Sequence, residues 1–437
     1  MTLPFTLIFM FLVFWRPQEW LVPAMYGWPV LDFIVYAALL GLLVELDSGR
    51  AKMPKTPAVA LAGGLWVAAV FSHVVQGYFQ GMLNTIPDAF KLCFFLVLLV
   101  VVVDRVGNAR AVVMVFVLGA CLMSVHALMQ QQLGHGFAGQ PPMYVFKEAT
   151  GEYQKRSQFF GIFGDPNDLA QFLAASLPLV FAIPHRLSFE RLALSTGVAV
   201  LLFVALLTTH SRGGVVALLA ACVAMLFMVL PSRWLPYAGA LALAGGLLLC
   251  GLKGGLMMDA SASERVVYWG LANRAFKAHP LFGIGYGMFW QITGSSRAAH
   301  NAFVSCYTEV GLVGYWFWFS LLQLGVIGCW RTRLALRKPV TASQIYLRRL
   351  AGLTIASIIG FAAGGYFLSR SFIFPFFFLF GLSNAIPLIA QRLLPAGHPP
   401  LLQVRRDVFG WGTVTTLFSV IYIYISILIL NRVMYGG

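Results

Sequence analysis

Runs of about twenty apolar residues recur along this chain, and one or two charged residues separate many of them. Leu192–Ser211, Gly213–Ser232 and Trp234–Leu252 follow one another with only Arg212 and Arg233 between them. Ala351–Ser369, Ser371–Gln391 and Val408–Asn431 make a second set. Each is close to the ~20 residues that carry a helix across ~30 Å of hydrocarbon. Weaker runs lie at 3–15, 30–46, 57–75, 86–103, 111–129 and 169–184, and a longer one covers 301–330. The first of these is short and the second contains Asp32 and Glu45, so the pattern predicts about twelve spans, give or take one. The expected fold class is all-α, a polytopic transmembrane helical bundle forming a single integral membrane domain over 1–437. Its subdivisions are a first long outer loop at 130–168, a larger outer loop with an amphipathic helix at 253–300, and C-terminal spans over 301–437.

Composition agrees with lipid as the solvent. Of 437 residues, 59% are hydrophobic and only 10% charged, against roughly 25% charged in a soluble globular protein. The formal net charge of +15, from 30 Lys+Arg and 15 Asp+Glu, would suggest nucleic acid in a soluble chain. Here it bears first on orientation. With the N-terminus in the cytoplasm and spans alternating, seventeen of the thirty basic residues fall inside. Eight more lie in the two long outer loops, and the short outer segments keep only Arg16, Lys91, Arg212, Arg370 and Arg432. Positive residues in short loops mark the cytoplasmic side, so a cytoplasmic N-terminus is expected. The chain's start lacks a basic region and a small-residue cleavage site, and is read as a retained span. Six cysteines sit in apolar runs without CxxC spacing, the pattern of small hydrophobes, and no metal site is expected.

Chemistry is expected in the outer loops. Segment 130–168 holds Lys147, Glu148, Glu152, Lys155, Arg156, Asp165, Asn167 and Asp168; segment 253–300 holds Arg265, Arg274, Lys277, His279, Arg297 and His300. Loops this long are usually functional or disordered, but the second reads as a helix over 262–278, with a capping-box pattern from Ser261 to Glu264 and Pro280 ending it. Arg265 and Arg274 are nine residues apart and so face opposite ways at ~100° per residue; Arg274 with Lys277 fits a solvated basic face. Arg212 lies in Thr208-Thr209-His210-Ser211-Arg212-Gly213-Gly214, between two spans with almost no loop. It fits either an arginine snorkelling to the interface or a guanidinium at the outer rim whose planar fork suits phosphate oxygens. Thirty-three residues from 298 would extend roughly 50 Å as one helix, more than a membrane needs, which puts His300 at the outer surface. A lone histidine is more often structural than catalytic. On an unbroken helix Tyr307 shares the face of His300 and Glu309 points away. Gly283-Ile284-Gly285-Tyr286-Gly287 is either a flexible turn or a weak anion cradle.

Several of these stretches, in order, resemble one family. Arg156-Ser-Gln-Phe-Phe-Gly161, Pro166-Asn167-Asp-Leu-Ala170 and Ser211-Arg212-Gly213 come first. Glu264-Arg265-Val-Val-Tyr-Trp269, His279-Pro280-Leu-Phe-Gly283-Ile-Gly285 and His300-Asn301-Ala-Phe303, continuing to Glu309-Val-Gly311-Leu-Val-Gly314, follow. Together they are similar to the O-antigen ligase and polymerase superfamily of bacterial inner membranes, most of all its ligase branch, over about residues 156–314. The resemblance implies a GT-C-like membrane enzyme, a metal-independent inverting glycosyltransferase without a cofactor. It would move a glycan from undecaprenyl pyrophosphate to an acceptor hydroxyl on the periplasmic side, with lipid A core sugar as the expected acceptor, membrane lipids as surroundings and no nucleic acid partner. Pyrophosphate-binding arginines map onto Arg212 and Arg265, and the candidate base onto His300. Arg156 matches a further position; Asn167, Asn301 and Tyr307 are possible additions.

The residue chemistry agrees with that reading. Fixed arginines can stabilise a leaving pyrophosphate, and a histidine titrates in the range a hydroxyl's base needs. A chain-extending polymerase or a protein O-oligosaccharyltransferase of the same superfamily are the alternatives. From another class, a transporter or lipid flippase would place ionisable groups within broken spans and repeated halves, whereas here the span interiors carry almost no charge.

Overall fold

In the computed structural model, residues 2–25, 27–147, 151–184, 188–229, 260–294 and 299–435 are described. They form an all-α polytopic protein. Its main helices are α1 (Thr2–Trp15), α2 (Val30–Asp47), α3 (Pro57–Val75), α4 (Phe79–Val102), α5 (Val106–Leu133), α6 (Pro166–Val180), α7 (Phe189–Thr208) and α8 (Arg212–Val229). They continue as α9 (Ala260–Ala278), α10 (Ala302–Ala335), α11 (Ala342–Gly365), α12 (Phe374–Leu393) and α13 (Thr413–Tyr435). Among the described residues eight helices are long and apolar enough to cross a membrane, with α13 extended back to Val404, while α1 and α8 are shorter apolar helices. The run Trp234–Leu252, the start of segment 253–300, Glu148 and Arg297 lie outside the described residues.

The chain forms two compact units. Unit 1 comprises Met1–Met53, Val101–Lys253 and Thr332–Gly364. Its centre is α6, every residue of which is buried except Asn167, with the polar Asp168, Gln171 and Ser176 enclosed along with the apolar majority. Phe14 of α1, Phe116 of α5 and Phe163 and Phe172 around α6 form an interlocking aromatic cluster with ring centroids 4.9–5.5 Å apart. Small residues set the closest approaches: Gly214 of α8 lies against Ala170 of α6, and Gly360 of α11 against Ala217 and Ala221 of α8. Without a hydrophobic drive between helices in lipid, this close backbone packing is what holds them together. Segment 130–168 is not a simple loop. It folds as an antiparallel hairpin, β1 (Met143–Lys147) with β2 (Glu152–Arg156), which hydropathy does not show.

Unit 2 comprises Pro54–Val100, Gly254–Arg331 and Gly365–Gly437. Its central feature corrects the expectation of one unbroken helix from His300. Helix α10 is broken at Gly311, with φ 65° and ψ −172°, a conformation essentially confined to glycine. The segment after α9 splices into the break. Leu312 N donates to Pro280 O (2.8 Å) and Val313 N to Leu281 O (3.1 Å), while Ile284 N donates to Thr308 O and Gly285 N to Glu309 O (both 3.0 Å). Backbone groups freed inside an apolar bundle must find partners in protein, and here the 280–285 backbone supplies all four. Gly283 (φ 71°) lies against Glu309 and Gly311 and has no room for a side chain. The glycine-rich stretch is therefore neither a flexible turn nor an anion cradle but part of this splice.

Candidate functional site

In unit 1 the end of the hairpin positions the first arginine. Arg156, the last residue of β2, donates from Nε to Thr209 O (2.8 Å) and from Nη2 to Asn167 Oδ1 (3.0 Å). Asn167 is itself fixed at the start of α6: Pro166 occupies the first turn and Asp165 caps it, accepting from Asn167 N at 2.7 Å. Burial lowers the Arg156 guanidinium from its ordinary value, and the Asp165 charge opposes that shift. Next along the strand, Ser157 N donates to Thr208 O (3.1 Å). This strand end thus clamps the end of α7.

The clamp sits on the turn that carries Arg212. His210 takes φ 50°, uncommon for a residue with a side chain. Ser211 Oγ accepts from Gly214 N at 3.0 Å, and Thr209 Oγ1 from Ser211 N at 3.2 Å. Arg212 is the first residue of α8 and is exposed, while Ser211 is buried. Helix N–H groups and the positive end of the helix dipole favour an anion at such a position. Unit 1 therefore gathers Arg156, Asn167 and the Arg212 turn. Arg16, at φ 53° and ion-paired with Glu19, packs against Gly161 in the same unit.

In unit 2, α9 orders the His300 segment. It starts at Ala260, which puts Ser261 within the helix rather than before it. Trp269 Nε1 donates to Ala299 O at 2.7 Å. Asn273, 3% exposed, accepts from the Tyr307 hydroxyl (2.7 Å) and donates to Tyr424 O (3.0 Å). Arg265, Trp269, Asn273 and Phe276 recur at helical spacing along one stripe, and Phe276 meets the Tyr307 ring edge-on at 4.9 Å. Arg265 is half-buried, whereas Arg274 and Lys277 are exposed. His300 takes φ 50°, and Asn301 is the cap of α10: its Oδ1 accepts from Phe303 N (3.0 Å) and Val304 N (3.2 Å). That bonding explains Asn301 by structure alone. Tyr307 is likewise engaged with Asn273 and buried.

Sequence reasoning passed over Asn273, although it stands one turn beyond Trp269 on the stripe of Arg265. It set Glu309 aside as facing away from His300 on an unbroken helix; Glu309 lies at the helix break, 6% exposed, with Phe289 N donating to Oε1 at 3.3 Å. Gln76, just past the end of α3, is bonded to Gly283 O (2.7 Å) and His279 Nδ1 (3.1 Å) and so holds the splice. No group of three or more potential metal ligands occurs among the described residues.

Residues 197–319 match the family model described as O-antigen ligase. Arg212, Arg265, His300, Asn301 and Tyr307 fall inside the match; Arg156 and Asn167 precede it. No curated protein matches the chain. The apolar helices and the match together describe an integral membrane protein of a glycan-processing family. Over residues 197–319, then, the chain is similar to the O-antigen ligase family.

Proposed function

We propose that this protein is an inner-membrane glycosyltransferase of the O-antigen ligase type, with its N-terminus cytoplasmic and its active site on the periplasmic face. The donor is a glycan on undecaprenyl pyrophosphate and the acceptor a hydroxyl, for which lipid A core sugar is the leading choice. In the reaction the acceptor oxygen attacks the anomeric carbon from the side opposite the pyrophosphate. The carbon–phosphate oxygen bond breaks with inversion, and His300 takes the hydroxyl proton. Arg212 and Arg265 stabilise the charge developing on the leaving pyrophosphate, a task in which fixed cationic donors act at full strength because they need no reorganisation. Arg156, held by Asn167 and Thr209, is a further candidate contact on the donor.

The observation that carries this reading is the family match across 197–319, the stretch that contains the exposed Arg212 at the head of α8 together with Arg265 and His300. The test is transfer by purified protein from a defined lipid-linked glycan to core oligosaccharide, with product mass and anomeric configuration read directly. Arg212→Lys is expected to lose about a hundredfold or more in kcat/KM, because a point charge does not replace a bidentate fork. His300→Ala is expected to lose a comparable factor, and chelators to have no effect. Normal transfer by either variant would refute the site assignment. Repeat-length products on the carrier lipid would select the polymerase, and glycosylated protein the oligosaccharyltransferase.

One observation favours a transporter reading: the broken α10 with buried Glu309, since broken helices and intramembrane carboxyls mark many transport sites. Against it, the four backbone groups at the break are bonded to the 280–285 segment and so are not free to coordinate an ion. Translocation by proteoliposomes without new covalent product would reverse the ranking.

A further inference from the structure

Beside the break in α10, within unit 2, lies a cavity of about 280 Å³ whose walls include Glu309, Tyr286, Trp290, Ser369, Arg370 and Phe372. We propose that it binds one pyranose ring of a glycan substrate, a subsite that rests on the glycosyltransferase reading above and deepens it. Its size is at the lower end for small-molecule sites, which run from roughly 300 Å³ upward, and so suits a single sugar unit rather than a whole glycan or a lipid tail.

The wall chemistry selects the ligand. The Glu309 carboxyl accepts from Phe289 N, and a carboxylate offers about four acceptor positions, which leaves room for a ligand hydroxyl. Arg370 brings donors to the same cavity. The Ser369 hydroxyl is buried and has no hydrogen-bond partner among the described residues, so it is available to give or accept one bond. A phosphate would meet the Glu309 carboxyl, and an acyl chain would strand these polar groups without partners. A sugar satisfies both kinds of wall: its hydroxyl rim takes the Glu309, Ser369 and Arg370 groups, and its C–H face stacks on an aromatic ring. Trp290 is 53% exposed, leaving its ring surface available for such stacking.

Position links the cavity to chemistry. Ser371, also in its wall, donates from Oγ to Ala302 O at 2.5 Å, two residues beyond His300. A sugar seated here lies beside the first turns of α10, the helix that begins just after the proposed base. The same chemistry could come from the donor's terminal sugar or from the acceptor, and kinetics separate the two. Trp290→Ala and Ser369→Ala are expected to raise KM about tenfold for one substrate and to leave KM for the other within about twofold, with Trp290→Phe restoring most of the loss. The substrate affected identifies the source. Unchanged KM for both, in a preparation that transfers glycan, overturns the subsite and leaves the enzyme reading standing. If the wild-type protein transfers nothing, the enzyme reading fails, and the cavity is still decided by saturation-transfer NMR with the two free oligosaccharides. Signal in wild type that is lost in Trp290→Ala supports the subsite; equal signal in both, or none in wild type, refutes it.

Discussion

The splice in α10 makes a quantitative claim about Gly311→Ala. At φ 65° and ψ −172° a residue with a side chain costs ~1–3 kcal/mol. A Cβ there would also press on the Leu281 carbonyl and Phe282 N, forcing apart the two strands of backbone that share four hydrogen bonds. Each such bond contributes ~1 kcal/mol net, so loss of half of them adds ~2 kcal/mol. Together the variant should be destabilised by about 4 kcal/mol, close to a thousandfold in the unfolding equilibrium. A convenient readout is thermal exposure of the buried thiols Cys93, Cys306 and Cys329 to a thiol-reactive dye in detergent. The control is Gly63→Ala, in the middle of α3, where an added Cβ meets nothing within 4 Å; it should be neutral or stabilise by up to ~1 kcal/mol. A Gly311→Ala protein that melts with wild type, or a Gly63→Ala protein that falls equally, would refute the structural role assigned to the break.

Three other outcomes follow from named contacts. Asp407 is fully buried and holds Arg331 bidentately at 2.6 and 2.8 Å, with Arg406 at 2.9 Å. Because Arg331 and Arg406 keep some solvent, Asp407→Ala should cost about 3 kcal/mol, the lower end for a broken buried pair, measurable in the same melting assay. Asn301→Ala removes the cap of α10 and should cost ~1 kcal/mol, while Asn301→Asp or Asn301→Ser should retain most of it; a large loss of transfer with unchanged melting would instead place Asn301 in the chemistry. Asn167→Ala strips Arg156 of one partner and should destabilise by about 1.5 kcal/mol, with any rise in donor KM exceeding that in acceptor KM.

Much of the fold was legible along the chain. Length and apolarity predict α1, α3, α7 and α12 nearly to their ends, because a helix is the simplest way to satisfy every backbone group in lipid. The all-α class follows from that alone, and the ordered motifs were enough to anticipate the superfamily. The hairpin at 143–156 escaped because short strands outside lipid leave no hydropathy signal. The break in α10 escaped because its hydrogen bonds run between 280–285 and 308–313, and an apolar run reads the same whether or not its backbone is continuous.

The sequence by itself determined that this protein is helical and lies in a membrane, and it singled out Arg156, Arg212, Arg265 and His300 as candidates. Only the tertiary structure decided what holds them. Asn167 and Thr209 fix Arg156, the strained His210 turn lifts Arg212 to a helix start, and Trp269 pins the backbone next to His300. It also decided that His279–Gly285 and Glu309–Gly314 are two halves of one joint. Hydropathy is a property of each residue and survives reading in one dimension. A hydrogen bond between segments thirty residues apart belongs to neither alone, and it exists only once the chain has folded.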